Sequence, residues 1–132
     1  MISAPVEPAR LEQFTNGYLA AALWSTNDDS GNPLDAKYSE ADIDPATLER
    51  MKADCGSFYE AWQEYIDAET CLEYDSTPES RGGHDFWLTR NGHGAGFWDG
   101  DWEAAAGKKL TAASHIYGEF NIYVGDDGKI YH

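Results

Sequence analysis

Long apolar runs are missing from this chain. No stretch among its 132 residues approaches the ~20 consecutive apolar residues that a membrane-spanning helix needs, so no membrane partner is expected. The opening MISAPVEPARLEQF carries neither a basic n-region nor an apolar h-region, which argues against a secretory leader. Cysteine is scarce. Cys55 and Cys71 form neither a CxxC pair nor a disulfide framework, and fit reduced thiols in a cytoplasmic protein, one of them in a helix core. Basic side chains are few as well, 9 Lys and Arg against 24 Asp and Glu, for a formal charge of −15. That balance repels nucleic acid and anionic membranes and favours basic protein surfaces. No GxSxG, HExxH, Walker or GxGxxG pattern occurs, so no nucleophilic triad or nucleotide cradle is indicated and no cofactor is expected.

What is present is a chain able to pack, with 42% hydrophobic and 14% aromatic residues, the size of one domain spanning 1–132. Its charge is uneven. Residues 1–79 hold 17 acidic and 4 basic side chains (net −13), whereas 80–132 hold 7 and 5 (net −2). Between Ala53 and Ser80 there are eight carboxylates and no Lys or Arg.

Helical spacing of Leu11, Phe14, Tyr18 and Ala21/Ala22 predicts a first helix from Glu7 to Trp24, with Gly17 inside it as a point of close packing. Asp44-Pro45 is a strong helix start. The stripe Leu48, Met51, Cys55, Phe58, Trp62, Ile66 carries that second helix to about Glu69. Tyr74 to Gly83 reads as a polar linker. Next, Asn91-Gly92 between two apolar runs predicts a type I′ hairpin, pairing His84 with Asp99, Phe86 with Phe97 and Trp87 with Gly96. Asp101 is the expected cap of a third helix ending at Tyr117, with Gly118 as its stop. A second hairpin closes on Asp127-Gly128, placing Asp126 opposite Lys129. The expected fold is therefore a single α+β domain of order ααββαββ. It has a helical part at about 7–69, a sheet-forming part at about 84–132, and an antiparallel sheet of about four strands with helices on one face.

The run HDFWLTRNGHGAGFWDG, with LTAAS and GEFNIYVGDDGKIY after it and YLAAALWST, SGNPLD, IDPATLERM and DCGSF before it, resembles a family of small acidic proteins encoded by bacteriophages and prophages. The likeness spans most of the chain, and its long central motif is the specific part. It implies a phage product acting in the host cytoplasm and supplies no catalytic residues.

Three functional readings follow. The first is a non-enzymatic binding protein. Asp54, Glu60, Glu64, Asp67, Glu69 and Glu73 on the second helix imitate a phosphate array and fit a basic host protein, a nucleic-acid-binding or defence factor that is thereby inhibited. The second is a small metal-dependent enzyme built on His84, Asp85, Asp99 and Asp101, against which stands the weak ligand spacing. The third is a self-associating module, a homodimer through a Trp-bearing hairpin face. Arg90, Asn91 and His93 are expected at an exposed hairpin tip, and Trp87, Trp98 and Trp102 more as scaffold than as ligands.

Overall fold

A computed structural model describes residues 5–67, 70–72, 77–93 and 95–132. The architecture is helical: α1 (Pro8–Ser25), α2 (Pro45–Trp62), α3 (Pro78–Arg90) and α4 (Ala104–Tyr117), with short 3-10 turns at Leu34–Ala36, Glu40–Asp42 and Gln63–Tyr65. The expected α+β fold with a four-stranded sheet is not what forms. Among the described residues the only sheet is two-stranded, β1 (Tyr123–Val124) against β2 (Ile130–Tyr131).

The difference lies in α3. Its thirteen residues take in part of the expected linker and the whole of the expected first strand. Thr77 caps it, its hydroxyl accepting from the Ser80 amide at 3.1 Å, and Pro78 occupies the first helical position where no N–H is needed. The Asn91-Gly92 pair ends this helix instead of turning a hairpin. Asn91 has φ −96, so the type I′ turn, which requires positive φ at both residues, is excluded, while Gly92 takes φ 69. His93 N–H donates to Leu88 O at 3.0 Å and Gly92 N–H to Thr89 O at 3.2 Å, which is the Schellman arrangement of a helix C-terminus. The pairing of His84 with Asp99 and Trp87 with Gly96 therefore does not form.

Nine of the thirteen α3 residues are buried, so this helix is the centre of the molecule and shows no polar face. It packs most extensively on α1. The approach is set by two glycines: a methyl on Gly83 would lie 1.8 Å from Phe14 O, and one on Gly17 would lie 2.0 Å from Ser80 O. Aromatic rings fill the space between α3 and its neighbours. Phe86 stacks on Phe58 of α2 at 4.1 Å between centroids, and Tyr18 meets the edge of Trp87 at 5.3 Å. Such pairs add ~0.5–1.5 kcal/mol each beyond their area burial.

The other helices follow the sequence more closely. Asp44 caps α2, accepting from Thr47 N–H at 3.3 Å, and Gly118 (φ 71) stops α4. The cap of α4 is Glu103, not Asp101, and its carboxylate accepts from Ala105 and Ala106 N–H at 3.0 and 3.1 Å. The second hairpin forms one register away from the expected one: Tyr123 pairs with Tyr131 and Val124 with Ile130. That register leaves a three-residue loop, Asp126 to Gly128, in which Gly128 adopts φ 79 and Gly125 N–H donates to Lys129 O at 2.7 Å. The hairpin docks on the entry to α2 through Asp44 N–H to Ile130 O at 2.8 Å. No helix among the described residues is long and apolar enough to cross a membrane.

Candidate functional site: a buried His–Asp–Trp network and the groove beside it

The second helix stops at Trp62 and not at about Glu69, so of the six carboxylates expected on it only Asp54 and Glu60 lie on α2, Glu64 falls in the 3-10 turn Gln63–Tyr65, and the residues take different roles. Asp54 is half-buried and accepts from Arg90 Nη1 at 2.8 Å, which removes it from any partner-facing array. Glu60 and Glu64, four residues apart, are both exposed. Asp67 is half-buried and accepts from the Thr70 amide at 3.0 Å, shaping the turn after α2. Glu69 and Glu73 lie outside the described residues.

Of the expected exposed tip, only His93 is exposed. Arg90 is 5% exposed and ties four segments together. Its Nε donates to Gly118 O at 2.8 Å, Nη2 to Tyr117 O at 3.1 Å, and Nη1 to both Tyr18 Oη at 3.1 Å and Asp54. Its guanidinium also lies over the rings of Phe86, Tyr117 and Phe120 at 5.3–5.6 Å. It is buried because it supplies donors to the open carbonyls at the end of α4. Asn91 is half-buried; its Oδ1 accepts from Phe120 N–H at 2.8 Å and its Nδ2 donates to Trp87 O at 3.0 Å.

Three of the four residues of the metal-enzyme reading, Asp85, Asp99 and Asp101, come together by a route other than a hairpin, and His84 reaches the group through Asp85. Asp85, only 1% exposed, receives His84 Nδ1 at 2.9 Å on one carboxylate oxygen and Trp102 Nε1 at 2.7 Å on the other. Asp99 and Asp101 arrive on the loop before α4, and one oxygen from each of Asp85, Asp99 and Asp101 lies within 4.8 Å of the others. Two backbone bonds hold this loop: Leu72 N–H to Asp101 O and Glu103 N–H to Thr70 O, both 2.6 Å. Arg81 Nη1 sits 3.7 Å from Asp101, and Asp99 accepts from the Gly96 amide at 3.2 Å.

An ionised carboxylate only accepts hydrogen bonds, so the 2.9 Å contact requires Nδ1 of His84 to donate. The longer approach of Arg81 Nη1 to the same nitrogen, 3.5 Å, does not compete. A neutral His84 therefore presents Nε2 as an acceptor, and Trp24 lies over its ring at 6.1 Å. Chemically, this is an imidazole oriented by one of three clustered carboxylates, an arrangement capable of proton transfer or of holding a cation.

Trp102 also forms a wall of a groove of about 540 Å³ between α4 and the loop preceding it. Trp98 lines the same groove and is 56% exposed, whereas Trp87, expected with it on one hairpin face, is buried and donates to Ser25 Oγ at 2.8 Å. Sequence reasoning did not find this groove. The available signal was the run Ala104 to Gly118, which carries Lys108, Lys109 and His115 and no carboxylate in an otherwise acidic chain. Cys55 and Cys71 are both buried and not joined in a disulfide, and burial pushes the Cys55 thiol pKa up, away from nucleophilic use.

No protein-family model, curated protein or solved structure matches this chain.

Proposed function

We propose that this is an acidic binding protein of the bacteriophage type, which engages a basic, nucleic-acid-binding or defence protein of the host cytoplasm and inhibits it. The observation that carries the reading is the exposure of Glu60, in the last turn of α2, and of Glu64, in the 3-10 turn that follows it, inside a 28-residue stretch from Ala53 to Ser80 without Lys or Arg. The resemblance of the central motif to phage proteins supports the host setting. Partner capture at low salt tests the idea, with Glu60→Lys/Glu64→Lys as the comparison because both side chains are exposed. A nucleic-acid-binding partner that is displaced by duplex DNA and lost in the double variant is expected. Capture that is unchanged by the charge reversal sinks the reading.

A second reading is favoured by one distance, the 4.8 Å within which Asp85, Asp99 and Asp101 can each offer an oxygen. It is a small metal-dependent enzyme in which these carboxylates hold a divalent cation and His84 Nε2 handles a proton. Calorimetric titration of the protein with Mg²⁺ and Mn²⁺ decides it: heat that saturates and disappears in Asp99→Asn supports the site, and no saturable heat removes it.

A further inference from the structure

We propose that the groove between α4 and the Trp98–Trp102 loop binds a small planar aromatic anion. The groove's volume of about 540 Å³ falls within the ~300–1,000 Å³ typical of small-molecule sites. Two of its walls are indoles. Trp102 is held by its Nε1 bond to the buried Asp85, so its ring is locked before any ligand arrives. Trp98 is 56% exposed, an unusual position for the largest apolar side chain and one that a stacked ring would cover. Gly107 lets the loop pack directly against α4 at the groove's edge, since a methyl there would meet Phe97 O at 2.6 Å.

The sign of the ligand charge follows from the lining. Lys108 and His115 both face the groove, and among the described residues no carboxylate lines it, although the chain has 24. The three carboxylates nearest in sequence are committed elsewhere: Asp99 to the Gly96 amide, Asp101 toward Arg81, and Glu103 to the first amides of α4. Lys108 and His115 are seven residues apart, two turns along one helix face, or ~10 Å. That length accommodates one ring system with one anionic substituent. Thr111 lies between them but gives its proton to Gly107 O at 2.7 Å, which leaves Lys108 as the main cation for the anionic group.

The test uses the full chain and matched probes: 2-naphthoate, the neutral 2-naphthamide and ring-free acetate, followed by quenching of tryptophan emission and by indole N–H shifts. The expected result is saturable binding of 2-naphthoate, with 2-naphthamide and acetate each at least ~tenfold weaker, about 1.4 kcal/mol. Trp98→Ala and Lys108→Glu each weaken it by a similar factor, while Tyr123→Ala, at an equally exposed ring on the C-terminal hairpin, leaves it unchanged. A parallel titration with AMP separates a phosphate from a carboxylate source, the tighter probe naming the natural head group. Equal affinity for naphthoate and naphthamide, no saturable change with any probe, or indifference to Trp98→Ala overturns the proposal. Both altered side chains are exposed, and a thermal melt of each variant confirms that a lost signal is not a lost fold.

Discussion

Arg90 Nη1 and Asp54 Oδ2 lie 2.8 Å apart, joining the last turn of α3 to the middle of α2. The arginine side chain is almost fully buried and the aspartate about one-third exposed, so the two partners are not equivalent. Removing Asp54 leaves a guanidinium that still donates to Tyr117 O, Gly118 O and Tyr18 Oη. Removing Arg90 strands all of those acceptors together with a carboxylate. Arg90→Ala is therefore expected to cost ~3–5 kcal/mol, and Asp54→Ala clearly less. Urea denaturation of the two variants checks the order, and equal costs would contradict it.

Gly17 and Gly83 set the α1–α3 distance, and the two positions respond to a methyl group as backbone collisions, not as rotamer adjustments. Gly17→Ala and Gly83→Ala should each destabilise by ~2–3 kcal/mol or more, since the obstacles at 2.0 and 1.8 Å are carbonyl oxygens. At Gly56, within α2, an added methyl would meet nothing within 4 Å. Gly56→Ala should raise stability by ~0.5–1 kcal/mol, the ordinary gain of alanine over glycine in a helix. Thermal melts of the three variants side by side separate the packing effect from the propensity effect.

These glycines also show why part of the fold was legible and part was not. Gly17 sits in a helix whose apolar stripe is one-sided, so α1 was readable despite it. The same holds for α2, where Asp44-Pro45 and the Met51–Cys55–Phe58 spacing agree. In α3 the local signals disagree with the period. A helix buried on every side has no polar face, so GHDFWLTR carries no amphipathic rhythm, and adjacent Gly82 and Gly83 lower its helix propensity. Asn-Gly serves two chemistries, a I′ turn and a helix stop, and only the φ of Asn91 separates them. The Thr77-Pro78 start signal was present but lay inside a segment that its Ser, Pro and Gly content marked as a loop. The candidate site inherited that error. Asp85 was named, yet its partner Trp102 became visible only once α3 and the Thr70–Leu72 segment brought the two within 2.7 Å.

Trp102 and Asp85 should be energetically coupled. Trp102→Phe keeps most of the ring's packing against Phe97 but removes the donor, leaving a buried carboxylate oxygen short of one hydrogen bond. A loss of ~1–3 kcal/mol is expected. Asp85→Asn alone loses the charge that orients His84. In the double variant the second change should cost much less than in isolation, and the cycle should give a coupling of ~0.5–3 kcal/mol. Additive costs within ~0.3 kcal/mol would mean the bond contributes nothing specific.

The C-terminal hairpin contains a phenol–carboxylate pair whose titration can be followed directly. Tyr131 Oη donates to Asp127, which also accepts from the Lys129 amide. The bond to Asp127 pushes the phenol up from 10.0 to about 12, and the same bond, followed by the Lys129 amide, holds the Asp127 carboxyl below its ordinary 3.8. Both signs favour the folded hairpin near neutrality. The tyrosine contribution is complete below pH 10 and is lost as pH rises from 10 to about 12, because the unfolded phenol ionises first. The aspartate contribution is present above pH 3.8 and is lost as pH falls through the lower folded value. Both groups are exposed, so the effect belongs to the hairpin and not to global stability. Ultraviolet and NMR titration should find one tyrosine ionising near pH 12 in the folded chain and not in Tyr131→Phe, with the Val124–Ile130 cross-strand contact weakening over the same interval. A Tyr131 that titrates at 10 would remove the pair from the account of this hairpin.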